Sequence, residues 1–160
     1  MNKLANEIIL QAGSQLGVTE ATGHNDGPAV ESYLKSVGLG KGYPWCMAFV
    51  YWCAKQAAAK LGLENPLYKT GGVLEEWQSG RGTHLTDPEP GSIFIMKLTS
   101  GYHTGVVSGV FPNGLIHTID GNTNSNGSRE GTKVLRKVRY HKDMIGYIRL
   151  DNNPLKILVN

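Results

Sequence analysis

The chain has 160 residues, of which 40% are hydrophobic and 18% charged. That balance supports one apolar core of ordinary size and argues against disorder. No apolar run approaches the roughly 18 residues that a membrane-spanning helix needs, and 21 glycines with 7 prolines favour a turn-rich α+β or all-β domain over a helical bundle. The net charge of +3 is unevenly spread. Arg129, Lys133, Arg136, Lys137, Arg139 and Lys142 face only Glu130 within residues 129–142, a local +5. Such a stretch could meet an anionic polymer, but no nucleic-acid motif accompanies it, and a solvated strand face is the expectation.

In chain order, Leu4, Ile8, Ala12 and Leu16 repeat every four residues and predict an amphipathic helix that stops at Gly17. The MNKLANEIILQAGSQLG start lacks a continuous apolar stretch of the kind a Sec signal peptide carries, so synthesis in the cytoplasm and another route of export are expected. A polar loop leads to a short helix from Pro28 to Gly38, Pro being favoured in a first turn. After the Gly-rich GLGKGYP comes WCMAFVYWCAKQAAAKLG, apolar nearly all round at its start, which predicts a buried helix ending at Gly62. A short helix is expected at 72–78, followed by the loop SGRGTHLTDPEPG. The period then changes. SIFIMKL, HTGVVSGVF, GLIHTID, TKVLRKVRY and MIGYIRL read as strands, with Asn113-Gly114 as a hairpin signal. Helices first and strands afterwards predict an α+β fold with an antiparallel sheet of about five strands. Residues 1–160 read as a single domain.

The two cysteines, Cys46 and Cys53, lie seven residues apart on one predicted helix, about 10.5 Å along its axis. That exceeds the roughly 7 Å Cα separation a disulfide tolerates. Cys46 falls in the first turn, where free N–H groups and the helix dipole favour an anion, and the thiolate is the reactive form. Cys53, two turns deeper, suits a packing role. A thiolate nucleophile needs a base, and the base needs an orienting partner. Of five histidines, His24 and His84 are expected in loops and His141 in the basic stretch. A two-residue turn with Pro112 opposite Leu115 would place His103 opposite Asn124, Gly105 opposite Asn122 and Val107 opposite Asp120. His103, Asp120 and Asn122 would then share one sheet face, and His117 would point the other way.

PWCMAFVYWC, PGSIFIM, YHTGVV and IDGNTNSNG together resemble the CHAP family of cysteine, histidine-dependent amidohydrolases and peptidases, over about residues 4–125. The resemblance implies a papain-like fold and cleavage of an amide in the peptide part of bacterial peptidoglycan. It makes Cys46 the nucleophile, His103 the general base and acid, and Asp120 and Asn122 the groups that orient the imidazole. Tyr43, Trp45 and Tyr102 are candidates to line the groove, with packing the stronger expectation for Trp45, and Glu20 is a candidate for its rim. Where the family has Pro-Gly-Asp this chain has Pro90-Gly91-Ser92, a change expected to touch a turn and not the chemistry. Some relatives hold calcium through several acidic residues. With only Asn25 and Asp26 as candidates here, no metal or other cofactor is expected.

The partner implied is bacterial peptidoglycan, with no nucleic acid, no membrane span and a monomeric state. Both an endolysin and a secreted antibacterial effector fit, and an effector would need an immunity or inhibitor protein. A catalytically inactive wall-binding or protein-binding member, and an acyltransferase on the same scaffold, are the alternatives.

Overall fold

The computed structural model describes residues 2–123 and 131–152. The first helix, α1 (Lys3–Ser14), starts where the Asn2 side chain accepts the Ala5 N–H at 2.7 Å, and it buries Leu4, Ile8 and Ala12. α2 (Pro28–Ser36) begins with its proline, and α3 (Cys46–Leu61) ends at Gly62 in the left-handed conformation. α3 is the central helix, with Met47, Ala48, Phe49, Val50, Cys53, Ala54 and Ala57 fully buried. A short α4 (Val73–Gln78) follows.

All five expected strands form, as β2 (Ile93–Leu98), β3 (Gly101–Val110), β4 (Leu115–Thr123), β5 (Lys133–Tyr140) and β6 (Met144–Arg149). A sixth, β1 (Thr83–Leu85), occupies a segment whose composition predicts a loop, so His84 lies in a strand. Three residues are too few to display a period of two. What makes them a strand is pairing with β6 and the His84 ring stacked on Trp77 at 3.8 Å. The sheet is antiparallel throughout, in the order β1-β6-β2-β3-β4-β5.

Alternation divides the apolar side chains between two clusters. Ile93, Ile95, Val106, Ile119 and Ile148 join the main core with α1, α2 and α3, while Phe94, Val107, Ile116 and Tyr147 form a smaller cluster of their own. Helix α3 packs closely on the sheet at Gly121, where even a Cβ would stand 2.8 Å from Phe49 and Trp45. The close approach brings the start of α3 against the end of β4.

The β3–β4 register differs from the expected one. The turn holds three residues, Pro112–Gly114, with Asn113 at φ +65, and the Phe111 N–H donates to the Leu115 carbonyl. A bulge between Val107 and Gly109 then shifts the ladder again, so Val107 faces Thr118 and not Asp120. Each irregularity moves the pairing by one residue. Two together restore the parity that one alone would reverse. Asn124, the expected partner of His103, lies outside the described residues.

Candidate active site

Cys46 is the first residue of α3, preceded by Trp45, whose side chain makes no cap hydrogen bond to the helix. The first-turn N–H groups therefore remain free of a side-chain cap, at the positive end of a 16-residue helix. His103 lies near the start of β3, opposite Met96 of β2. Its Nε2 is 2.9 Å from Asp120 Oδ2 on β4, and its ring is close enough to the Cys46 thiol for the two to shift each other's proton affinity. With Nε2 engaged by the carboxylate, Nδ1 is the nitrogen left for sulfur. Cys46, His103 and Asp120 thus form a continuous line, and all three are buried.

Gly105 shows why this line needs a residue without a side chain two places after His103. A Cβ there would stand 2.6 Å from Asp120 Oδ1 and 2.8 Å from the Phe94 ring. The Asp120 carboxylate occupies the space beside its backbone. Its other restraints are the Thr118 hydroxyl, which donates to Oδ1 at 2.6 Å, and Arg139, whose Nε donates to Oδ2 at 3.0 Å and Nη2 at 2.5 Å.

Burial alone would push the Cys46 thiol up, yet its interaction with the His103 ring and the imidazolium charge, aided by the backbone at Thr104 and Met47, hold it below its ordinary value. Burial likewise disfavours the imidazolium, but the interactions with Asp120 and Cys46 outweigh it and raise His103 to about 9. Asp120 pays a desolvation cost too. His103, Arg139 and Thr118 more than offset it, so its carboxyl sits below the usual range. The arrangement favours a thiolate beside an imidazolium. Cys53, fully buried on the same helix, is pushed well above a normal thiol by burial.

The thiol and ring open onto a groove of about 500 Å³, lined by Tyr43, Pro44, Tyr102, Asn122 and the Thr70–Glu75 segment that leads into α4. Tyr43 is exposed and Tyr102 half-buried. Asn122 sits at φ +54, buried, with Oδ1 unpartnered among the described residues. Asp120, not Asn122, holds the imidazole through Nε2. Trp45 and Glu20 lie away from this groove. Trp45 is fully buried, its ring 5.8 Å from Tyr33, and its Nε1 donates to Glu20 Oε1 at 2.8 Å. The pair joins the loop after α1 to the start of α3, because a buried indole N–H and a buried carboxylate each need the other.

Arg139 belongs to the stretch that composition marks as a solvated strand face. Lys133 and Arg136 are exposed as expected, but Arg139 turns inward over Phe94, 5.2 Å from the ring centroid, to reach Asp120. Alternation along β5 offers the one sequence signal, since Leu135, Lys137 and Arg139 share a face. Ser92 closes the turn before β2 by donating to the Glu89 carbonyl at 2.5 Å. Asp26 is occupied by the Thr22 N–H at 2.9 Å and the Thr22 hydroxyl. Among the described residues no three His, Cys, Asp or Glu side chains converge as a metal site would require.

A buried cysteine–histidine–aspartate line at the mouth of a helix, set on an antiparallel sheet, defines a papain-like α+β domain. The chain belongs to the CHAP domain family, whose model matches residues 38–122, and that family is one of peptidoglycan hydrolases. Among solved structures, the crystal structure of a wild type endolysin, LysIME-EF1, is similar with a TM-score of 0.48 and 17% identity, covering 98% of this chain and 67% of that one. No curated protein matches the chain.

Proposed function

We propose that the chain is a cysteine amidohydrolase or peptidase that cleaves an amide in the peptide part of peptidoglycan by thiol acyl transfer. The observation that carries this reading is the Cys46–His103–Asp120 line opening onto a groove. The Cys46 thiolate attacks the amide carbonyl, and the carbonyl oxygen becomes an oxyanion beside the uncapped N–H groups of the α3 first turn. The imidazolium of His103 gives its proton to the leaving amine, which departs. Neutral His103 then takes a proton from water, whose oxygen attacks the thioester and releases the acid and the thiol. Asp120 keeps the ring in place through both steps. Asn122 contributes to the groove wall, and Tyr43 and Tyr102 offer it flat apolar contacts. The site of action under this reading is the cell wall, in the manner of an endolysin or a secreted antibacterial effector.

The test is loss of turbidity of purified walls, with mass spectrometry of fragments from a defined muropeptide to identify the cut bond. The expected result is lysis by the wild type and none by Cys46→Ala. Equal lysis by both would remove the reading, and wall binding without fragments would favour an inactive binding protein.

A further inference from the structure

We propose that Arg139, on the edge strand β5, is a positioning residue that sets the orientation and charge of the Asp120–His103 pair. The inference rests on the reading of Cys46 and His103 as the reacting pair. Arg139 lies beyond residues 38–122, the span of the family match, and its hydrogen bonds go to Asp120 and Met96 rather than to Cys46 or His103.

The geometry carries the assignment. Asp120 Oδ2 accepts from His103 Nε2 at 2.9 Å and from Arg139 Nε and Nη2 at 3.0 and 2.5 Å. One carboxylate oxygen therefore serves both the imidazole and the guanidinium. Arg139 approaches with two N–H groups, a fixed fork that a lysine ammonium does not reproduce. The guanidinium itself is held over the Phe94 ring at 5.2 Å and near the Met96 sulfur at 3.9 Å, and its side chain is only 16% exposed. Desolvation makes the contact matter more than a surface ion pair.

Two consequences follow, one of position and one of charge. The fork and the Thr118 hydroxyl leave the carboxylate little freedom, so the imidazole meets its partner in one orientation. The guanidinium also neutralises part of the carboxylate charge, which limits how strongly Asp120 stabilises the imidazolium. Facing the ring are Cys46 from α3 and Asp120 from β4, with Arg139 of β5 acting through Asp120. β2 contributes the apolar Phe94, at 5.8 Å, and Met96. Removing the cation should make His103 harder to deprotonate, and replacing the fork by a point charge should loosen the ring without that shift.

The experiment combines a substrate-free readout with kinetics. The His103 ring is titrated by NMR in wild type, Arg139→Met and Arg139→Lys, its resonance identified by its loss in His103→Gln. Arg139→Met is expected to raise the ring's midpoint by roughly half a pH unit or more, and Arg139→Lys to leave it within two-tenths. On a defined muropeptide, kcat should fall about tenfold in Arg139→Met and about threefold in Arg139→Lys, with KM within twofold. A folded Arg139→Met with the wild-type midpoint and wild-type kcat would overturn the proposal. Should Arg139→Met fail to fold, wild-type kcat in Arg139→Lys would overturn it, since the fork would then be dispensable. The NMR shift without any Cys46-dependent cleavage in the wild type would instead count against the hydrolase reading and leave the role of Arg139 in the pair intact.

Discussion

His103 Nε2 and Asp120 Oδ2 meet at 2.9 Å across a hairpin, from residues 17 apart in the chain. The bond fixes which ring nitrogen remains for the sulfur. In Asp120→Ala that direction is lost, and the buried Arg139 is left without its counter-ion. The expected outcome is a fall in kcat of about 10²–10⁴-fold with a small change in KM. Steady-state kinetics on a defined muropeptide measure it, and a variant within twofold of wild type would show that the contact is dispensable.

That contact was partly legible in the sequence. The alternation of β3 and β4 puts both residues on one face, and the two register shifts between the strands cancel in parity. Asn113-Gly114 advertises a two-residue turn, but Pro112 joins it in a three-residue turn, and the bulge near Ser108 leaves no mark in composition. The helices were clearer because Leu4, Ile8 and Ala12 carry a long period, and Gly62 ends α3 where a left-handed residue is needed. Arg139 was hidden for a physical reason. Its inward turn depends on a carboxylate 19 residues away, and a basic strand reads the same whether its side chains meet water or a buried aspartate.

The ion pair sets a pH window. Cys46 is held below the normal thiol value and His103 is raised to about 9. Hydrolysis is expected to decline as pH rises through about 9, where His103 loses the proton for the leaving amine. Stability follows the same sign. A histidine raised from its ordinary 6.5 contributes stability that is complete below that value and lost as pH passes about 9. Iodoacetamide near pH 7 should label Cys46 in preference to Cys53, whose thiol is buried and raised. Preferential labelling of Cys53, read by peptide mass spectrometry, would contradict the assignment.

Glu76 provides a separate test of stability. It is fully buried on α4, accepts the Tyr68 N–H at 2.9 Å through Oε1, and has no partner for Oε2 among the described residues. Burial raises its carboxyl from 4.5 to about 7. An acid raised in the folded state contributes stability that is full below about 4.5 and disappears as pH climbs to about 7. Wild type should lose about 2 kcal/mol more than Glu76→Gln between pH 4.5 and pH 8, from a shift worth about 1.4 kcal/mol per unit with part of it screened. Urea unfolding at the two pH values measures the difference, and parallel losses would refute it.

Trp45 separates anchoring from substrate contact. The indole is fully buried and gives its N–H to Glu20, whose other oxygen has no partner among the described residues. Trp45→Phe keeps an aromatic ring in the core but leaves both oxygens of a buried carboxylate without a donor. The expected cost is about 2–3 kcal/mol of stability, from the desolvation of an unpaired charged group with some loss of packing. Because the ring lies outside the groove, KM for a muropeptide should stay within twofold, measured at a temperature where the variant is folded. A large rise in KM at unchanged stability would instead place Trp45 among the residues that touch substrate.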